Sequence, residues 1–166
     1  MRYRVSSGTL TVKARSRVHD TTCVWSAIAG TVEADADTLA TAGATASFTV
    51  DMTKFDAGDW LKNRKMKGDF ELEKYPQATF ALRAVRDVVR DGATFTATAE
   101  GVLAWRGREV VLVLAGRGTL DDKMVTASAT FELDIKTLGM QAPRFLMFKV
   151  EDEVTVEVAF KGAVLA

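Results

Sequence analysis

Residues 56–80 read D-A-G-D-W-L-K-N-R-K-M-K-G-D-F-E-L-E-K-Y-P-Q-A-T-F, a helical pattern set between segments that alternate apolar and polar residues. Asp56 is placed to cap the helix, and Asp59 three residues on favours its positive end. Gly68 is the expected stop, because helix C-termini often need the positive φ that glycine tolerates. Ala57, Trp60 and Leu61 share one face, while Lys62, Arg64, Lys65 and Lys67 make the remainder basic. Phe70 and Leu72 then alternate with acidic residues into Tyr75-Pro76, and a strand resumes at Ala78. One helix inside a β chain is expected to cap the end of a barrel, with Trp60 as the ring that covers it.

Alternation defines the strands outward from this cap. Before it, Leu10, Val12 and Ala14 alternate with threonine and lysine; Ser26, Ile28, Gly30 and Val32 share one side of 24–34; and Ala46, Phe48, Val50 and Met52 face inward. Residues 35–43 read as a turn. After the cap come Phe80, Leu82 and Ala84, and then Arg90-Asp91-Gly92-Ala93, where Asp-Gly suits a primed hairpin turn. The returning strand carries Phe95, Ala97, Ala99, Gly101 and Leu103. Trp105-Arg106-Gly107-Arg108 turns into the apolar run 110–114, which reads as a strand covered on both faces. Val125, Ala127, Ala129, Phe131, Leu133 and Ile135 follow, then an apolar-rich loop over 137–148, then Val154, Val156, Val158 and Phe160. The reading is all-β: an eight-stranded antiparallel up-and-down barrel with one capping helix between strands 3 and 4, a single domain over 1–166.

Composition narrows the functional classes. The chain has 166 residues, 48% of them hydrophobic, enough for one sizeable core. Lys plus Arg equals Asp plus Glu at 22 each, so charge gives no argument for nucleic acid. The single cysteine, Cys23, rules out an intramolecular disulfide and a multi-cysteine zinc site, and the single histidine, His19, rules out a multi-histidine one. His19 and Asp20 are adjacent and would point to opposite faces of a regular strand. No catalytic or metal-ligating set is assigned and no cofactor is expected; the sharpest alternative is a haem protein or a small-molecule enzyme using the barrel mouth near His19. The N-terminus has no apolar export segment, so the chain as written is expected in the cytoplasm, and in the periplasm if a leader has been trimmed.

An eight-stranded barrel is either just filled by side chains or wide enough for one ligand. Two inward faces are small, Ala97, Ala99 and Gly101 on one strand and Ala127 and Ala129 on another. Facing Phe95, Phe131 or Phe160 could fill that space, so the pattern alone leaves both outcomes open.

The run Asn63-Arg64-Lys65-Met66-Lys67-Gly68-Asp69-Phe70, continued by Glu73-Lys74-Tyr75-Pro76 and Thr79-Phe80, resembles the central signature of the YceI-like family. Gly30-Thr31-Val32, Leu103-Ala104-Trp105-Arg106-Gly107, Leu138-Gly139-Met140 with Ala142-Pro143, and 150–154 agree with it. The resemblance implies a lipocalin-like barrel and a non-catalytic carrier or sequestering protein for an isoprenoid-type lipid, a polyprenyl chain or quinone tail. Members are often exported, and here the chain departs from the pattern. For such a ligand the inward set Val12, Ile28, Phe48, Val50, Phe80, Leu82, Phe95, Ala97, Ala129, Phe131 and Val156 would supply the tube. Trp60, Leu61, Met140 and Phe145 would stand at its entrance. The expected partners are the apolar lipid and, through the basic helix face, transient contact with a membrane surface; a homodimer is admitted.

Overall fold

The computed structural model describes residues 1–16, 20–140, 144–145, 148–149 and 151–165. Its strands are β1 (Arg2–Ala14), β2 (Thr21–Trp25), β3 (Ile28–Ala34), β4 (Ala44–Asp51), β5 (Phe55–Asp56), β6 (Gln77–Asp91), β7 (Thr94–Trp105), β8 (Arg108–Leu120), β9 (Met124–Asp134), β10 (Arg144–Phe145), β11 (Phe148–Lys149) and β12 (Glu153–Val164). Hydrogen-bonded neighbours run β12-β9-β8-β7-β6-β4-β3-β1, and β1 pairs back onto β12 from Tyr3↔Val164 to Lys13↔Thr155. That pairing closes an eight-stranded antiparallel barrel, as the alternation predicts. β2 and β3 share one position in the circuit, pairing with opposite ends of β1, while β5 adds to β2 and β10–β11 forms a separate hairpin.

The strand faces follow the predicted alternation wherever the ladder is regular. They depart from it at bulges, because one extra residue moves every later side chain to the other face. In β6 the register shifts between Leu82 and Ala84 and again between Arg86 and Val89, where Asp87 has φ 54°. Val85 therefore turns inward and Ala84 outward, correcting the expected inward Ala84. The break at Ser26-Ala27 does the same between β2 and β3, bringing Cys23 and Trp25 inside with Ile28. β8 is not covered on both faces: Leu112 and Leu114 are buried, whereas Val111 and Val113 are exposed. β8 pairs with β9 over 116–120, and among the described residues its 109–115 edge has no β9 partner.

Each end of the barrel is plugged. At one end Tyr3, Val32, Ala34, Leu39, Leu120 and Val125 pack together. Leu39 comes from a one-turn helix, α1 (Leu39–Ala42), inside the segment read as a plain turn. At the other end lies the cap, α2 (Trp60–Asp69), between β4 and β6 as expected. Its details differ from the sequence reading. Asp59, not Asp56, is the N-cap, accepting from the Lys62 N–H at 2.8 Å; Asp56 instead accepts from Gly58 N–H at 2.9 Å and holds the approaching loop. Gly68 stays helical, and the chain turns out at Glu71, φ 53°, with Leu72 N–H bonded to Lys67 O.

The buried face of α2 is also not the predicted one. Met66 and the neighbouring Leu72 are fully buried, while Trp60 is 72% and Leu61 60% exposed. The cause is the polar side chain of Asn63, whose Oδ1 accepts the Ala57 N–H and whose Nδ2 donates to Asp56 at 3.3 Å. Those bonds seat the Asn63–Met66 side against the barrel and turn Trp60 and Leu61 outward. Arg106 fixes the other end of the cap. It and Gly107 occupy the β7–β8 turn with φ 57° and 72°, the pair of positive angles that a type I′ hairpin requires. From there its Nη1 donates to Phe70 O at 2.6 Å and its Nε to Leu138 O at 3.3 Å, with the guanidinium 4.7 Å from the Tyr75 ring centre.

Two measurements test this cap. Met66→Ala empties a fully buried site and is expected to cost about 2–5 kcal/mol of stability, whereas Trp60→Ala should change it by less than about 0.5 kcal/mol. Denaturant titration separates them, and equal losses would return Trp60 to the buried face. The Cys23 sulfur lies 3.5 Å from the Met66 sulfur. Burial pushes the Cys23 thiol up to about 11, against a smaller lowering by Lys62. With the folded value above the unfolded one, this group's contribution is complete below about pH 9 and is lost as pH rises toward 11. Cys23→Ala should flatten that part of the alkaline stability profile; an unchanged slope would contradict the buried thiol.

Candidate functional site

Between the two plugs runs an interior cavity of about 310 Å³, at the lower end of ordinary small-molecule pockets. Its walls are the inward faces of the circuit. Val12, Ile28, Phe48, Val50, Phe80, Leu82, Phe95, Ala97, Ala129, Phe131, Met140 and Val156 all stand on them. Trp60 and Leu61 do not, for the reason given by the cap. The side chain of Phe145, and His19 altogether, lie outside the described residues.

The geometry shows why the space is not filled. Ala97 pairs with Gly116 and Gly116 with Ala129, so three adjacent strands present three of the smallest side chains on one rung. Gly116 has open space inside: a Cβ built there would meet one atom, Ser128 O, at 3.6 Å. Gly101 is a different case. A Cβ there would fall 2.4 Å from Phe80 Cζ and 2.5 Å from Ala81 O, so this glycine is taken up by the Phe80 ring lying across β7. The Phe48 ring centre is 4.9 Å from that of Phe160 and 6.4 Å from that of Phe80, an aromatic group on one side of the lumen. Phe95 and Phe160 pack into the far plug, and Phe131 against the cap cluster. The expected large-small compensation thus operates at Gly101 and fails along the Ala97–Gly116–Ala129 rung.

Several wall residues were not legible as site residues. Cys23 and Trp25 were hidden by the phase break at Ser26-Ala27. Leu112 and Leu114 lie in an unbroken apolar run, where alternation gives no face, and Met66 lies on the helix face taken as polar. The two inward tryptophans spend their polar atoms on backbone rather than on the lumen. Trp25 Nε1 donates to Met52 O at 3.0 Å and Trp105 Nε1 to Tyr75 O at 2.9 Å. Among the described residues the polar ones on the wall are Thr79, Arg117, Ser128 and Glu151. No group of three or more His, Cys, Asp or Glu side chains able to hold a metal gathers among the described residues. The site offers chiefly apolar contact area.

The same architecture recurs in solved structures of other proteins. BcnA of Burkholderia cenocepacia is 20% identical, with TM-score 0.75 over 93% of this chain and 95% of that one. A polyisoprenoid binding domain from Saccharophagus degradans implicated in plant cell wall breakdown is 13% identical, with TM-score 0.79 over 98% of each chain. The YceI protein of Campylobacter jejuni is 12% identical, with TM-score 0.70 over 87% of this chain and 85% of that one. These likenesses show that the same barrel fold is shared with those proteins. No curated protein sequence matches the chain. The YceI-like domain matches residues 3–162, and the chain accordingly belongs to the YceI-like family.

Proposed function

We propose that the barrel binds one elongated apolar ligand of isoprenoid type, a polyprenyl chain or quinone tail, and acts as its non-catalytic carrier or sequestering protein. The observation that carries this reading is the apolar cavity kept open by the Ala97–Gly116–Ala129 rung. The Saccharophagus degradans neighbour, described as a polyisoprenoid binding domain, supports it by likeness of fold. Burial of a hydrocarbon chain releases about 0.8 kcal/mol per methylene, so about ten carbons offset an association cost of several kcal/mol. Flexible Met52, Met66 and Met140 on the wall accommodate irregular chain shapes.

Solvent extraction and mass spectrometry of freshly purified protein are expected to release a long-chain apolar species. A Soret band in its place would favour haem chemistry near His19. Substitution tests the same volume from the protein side. In a filled core Ala97→Phe or Ala129→Phe would overpack, costing about 1–3 kcal/mol. Here both alanines face open space, so each variant is expected to match or slightly exceed the parent's stability, measured after delipidation so that ligand contributes nothing. Each should also lose co-purified lipid, because ring and chain compete for one volume. Destabilisation by both, with an empty parent extract, would mean a packed barrel and would end the carrier reading.

A further inference from the structure

The outer face of α2 is unexplained by the barrel. Of the three tryptophans, Trp25 and Trp105 are buried and hydrogen-bonded, while Trp60 is 72% exposed and, among the described residues, has no hydrogen-bond partner. Leu61 beside it is 60% exposed. Trp60 and Leu61 together form a contiguous apolar patch on the surface, the kind of feature that marks an interaction site.

Two of the helix's four cations, Arg64 and Lys65, share this face. Arg64 lies four residues after Trp60 and Lys65 four after Leu61, one turn along the same side. Arg64 has no ion-pair partner among the described residues, and Lys65 reaches Asp69 at 3.2 Å in an exposed pair that solvent largely screens. Gly68, next on this side, has nothing within 4 Å of a Cβ built there, so no other element overhangs it. An amphipathic ring and an aliphatic side chain in the first turn, with guanidinium and ammonium groups in the second, match a lipid bilayer in chemistry. Trp settles at the headgroup level and Lys and Arg meet anionic phosphates. A rigid protein partner suits the face less well, since two apolar side chains flanked by Arg64 and Lys65 fall short of the roughly 800 Å² that each side of a stable protein interface buries.

We propose that α2 docks the protein on an anionic bilayer, with Trp60 and Leu61 in the headgroup–acyl boundary and Arg64 and Lys65 on lipid phosphates. Docking there places the bilayer against the cap whose inner side, Met66 and Phe70, forms part of the cavity wall. The contact does not depend on what the cavity holds, so extraction of the same preparation reports on the cavity separately.

The test uses vesicles of phosphatidylcholine alone and of phosphatidylcholine with phosphatidylglycerol, read by co-sedimentation and tryptophan fluorescence. Binding is expected to the anionic vesicles, to weaken with salt, and to blue-shift the emission. Acyl-brominated lipid should quench the parent but not Trp60→Ala, whose remaining indoles are buried. Arg64→Gln with Lys65→Gln should weaken binding by about 25-fold, taking about fivefold per charge near the surface. Unchanged thermal midpoints for these surface variants exclude misfolding as the cause. Equal binding to both vesicle types, no binding, or quenching that survives Trp60→Ala would overturn the proposal. So would a protein-concentration-dependent blue shift without vesicles, which would assign the face to a second copy of the chain.

Discussion

The character of this barrel depends on a shortage of side-chain volume along one rung. Eight tilted strands fix the interior radius, and whether that interior is solid is then decided by what the inward positions carry. Large residues occupy both ends, Tyr3, Leu39 and Leu120 at one and Trp25, Trp105 and Met66 at the other. Between them Ala97, Gly116 and Ala129 stand side by side on β7, β8 and β9. No single strand could leave such a gap, since a neighbour's side chain would lean into it. Phe80 does that at Gly101, where the ring takes the room that the glycine vacates. Three small residues in lateral register put the nearest bulky groups too far away to do the same.

The cap has to close this interior without being part of a sheet, and it does so through polar anchors at each end. Asn63 and Asp56 bind the entry loop, and Arg106 holds the carbonyls of Phe70 and Leu138 together. The hairpin turn that carries Arg106 thus joins the end of α2 to the 3₁₀ turn at Ile135–Leu138. Both pieces contribute to the cavity wall, through Met66 and Phe70 and through Ile135 and Leu138. The Arg106 anchor thus bears on two pieces of the cavity wall.

Much of this was legible in the sequence because period-2 alternation is a direct image of a two-faced strand. Ala46 to Met52, Val125 to Ile135 and Val154 to Phe160 took the predicted faces, and Ala97 and Ala129 could be identified as small inward positions. What was hidden depended on a phase change that no local pattern announces. The bulges in β6 and the Ser26-Ala27 break each reassign a face, moving Val85 and Trp25 inside. The run from Val110 to Leu114 carried no phase at all, so its covered and open faces emerged only from the fold. The helix misled for another reason: Trp60 and Leu61 offered the largest apolar surface, yet the bonds that Asn63 accepts from Ala57 and donates to Asp56 decided the seating. That Ala97, Gly116 and Ala129 share a rung is a register, and register lies between strands rather than within them.

The central claim is that affinity comes from burying hydrocarbon in this cavity. The most direct measurement is calorimetric titration of delipidated protein with a homologous series of unbranched long-chain alcohols. Binding should tighten about fourfold per added methylene, as apolar burial dictates, until the cavity is full and the gain levels off. Affinity independent of chain length, or no binding at any length, would contradict a hollow barrel that works by dry burial.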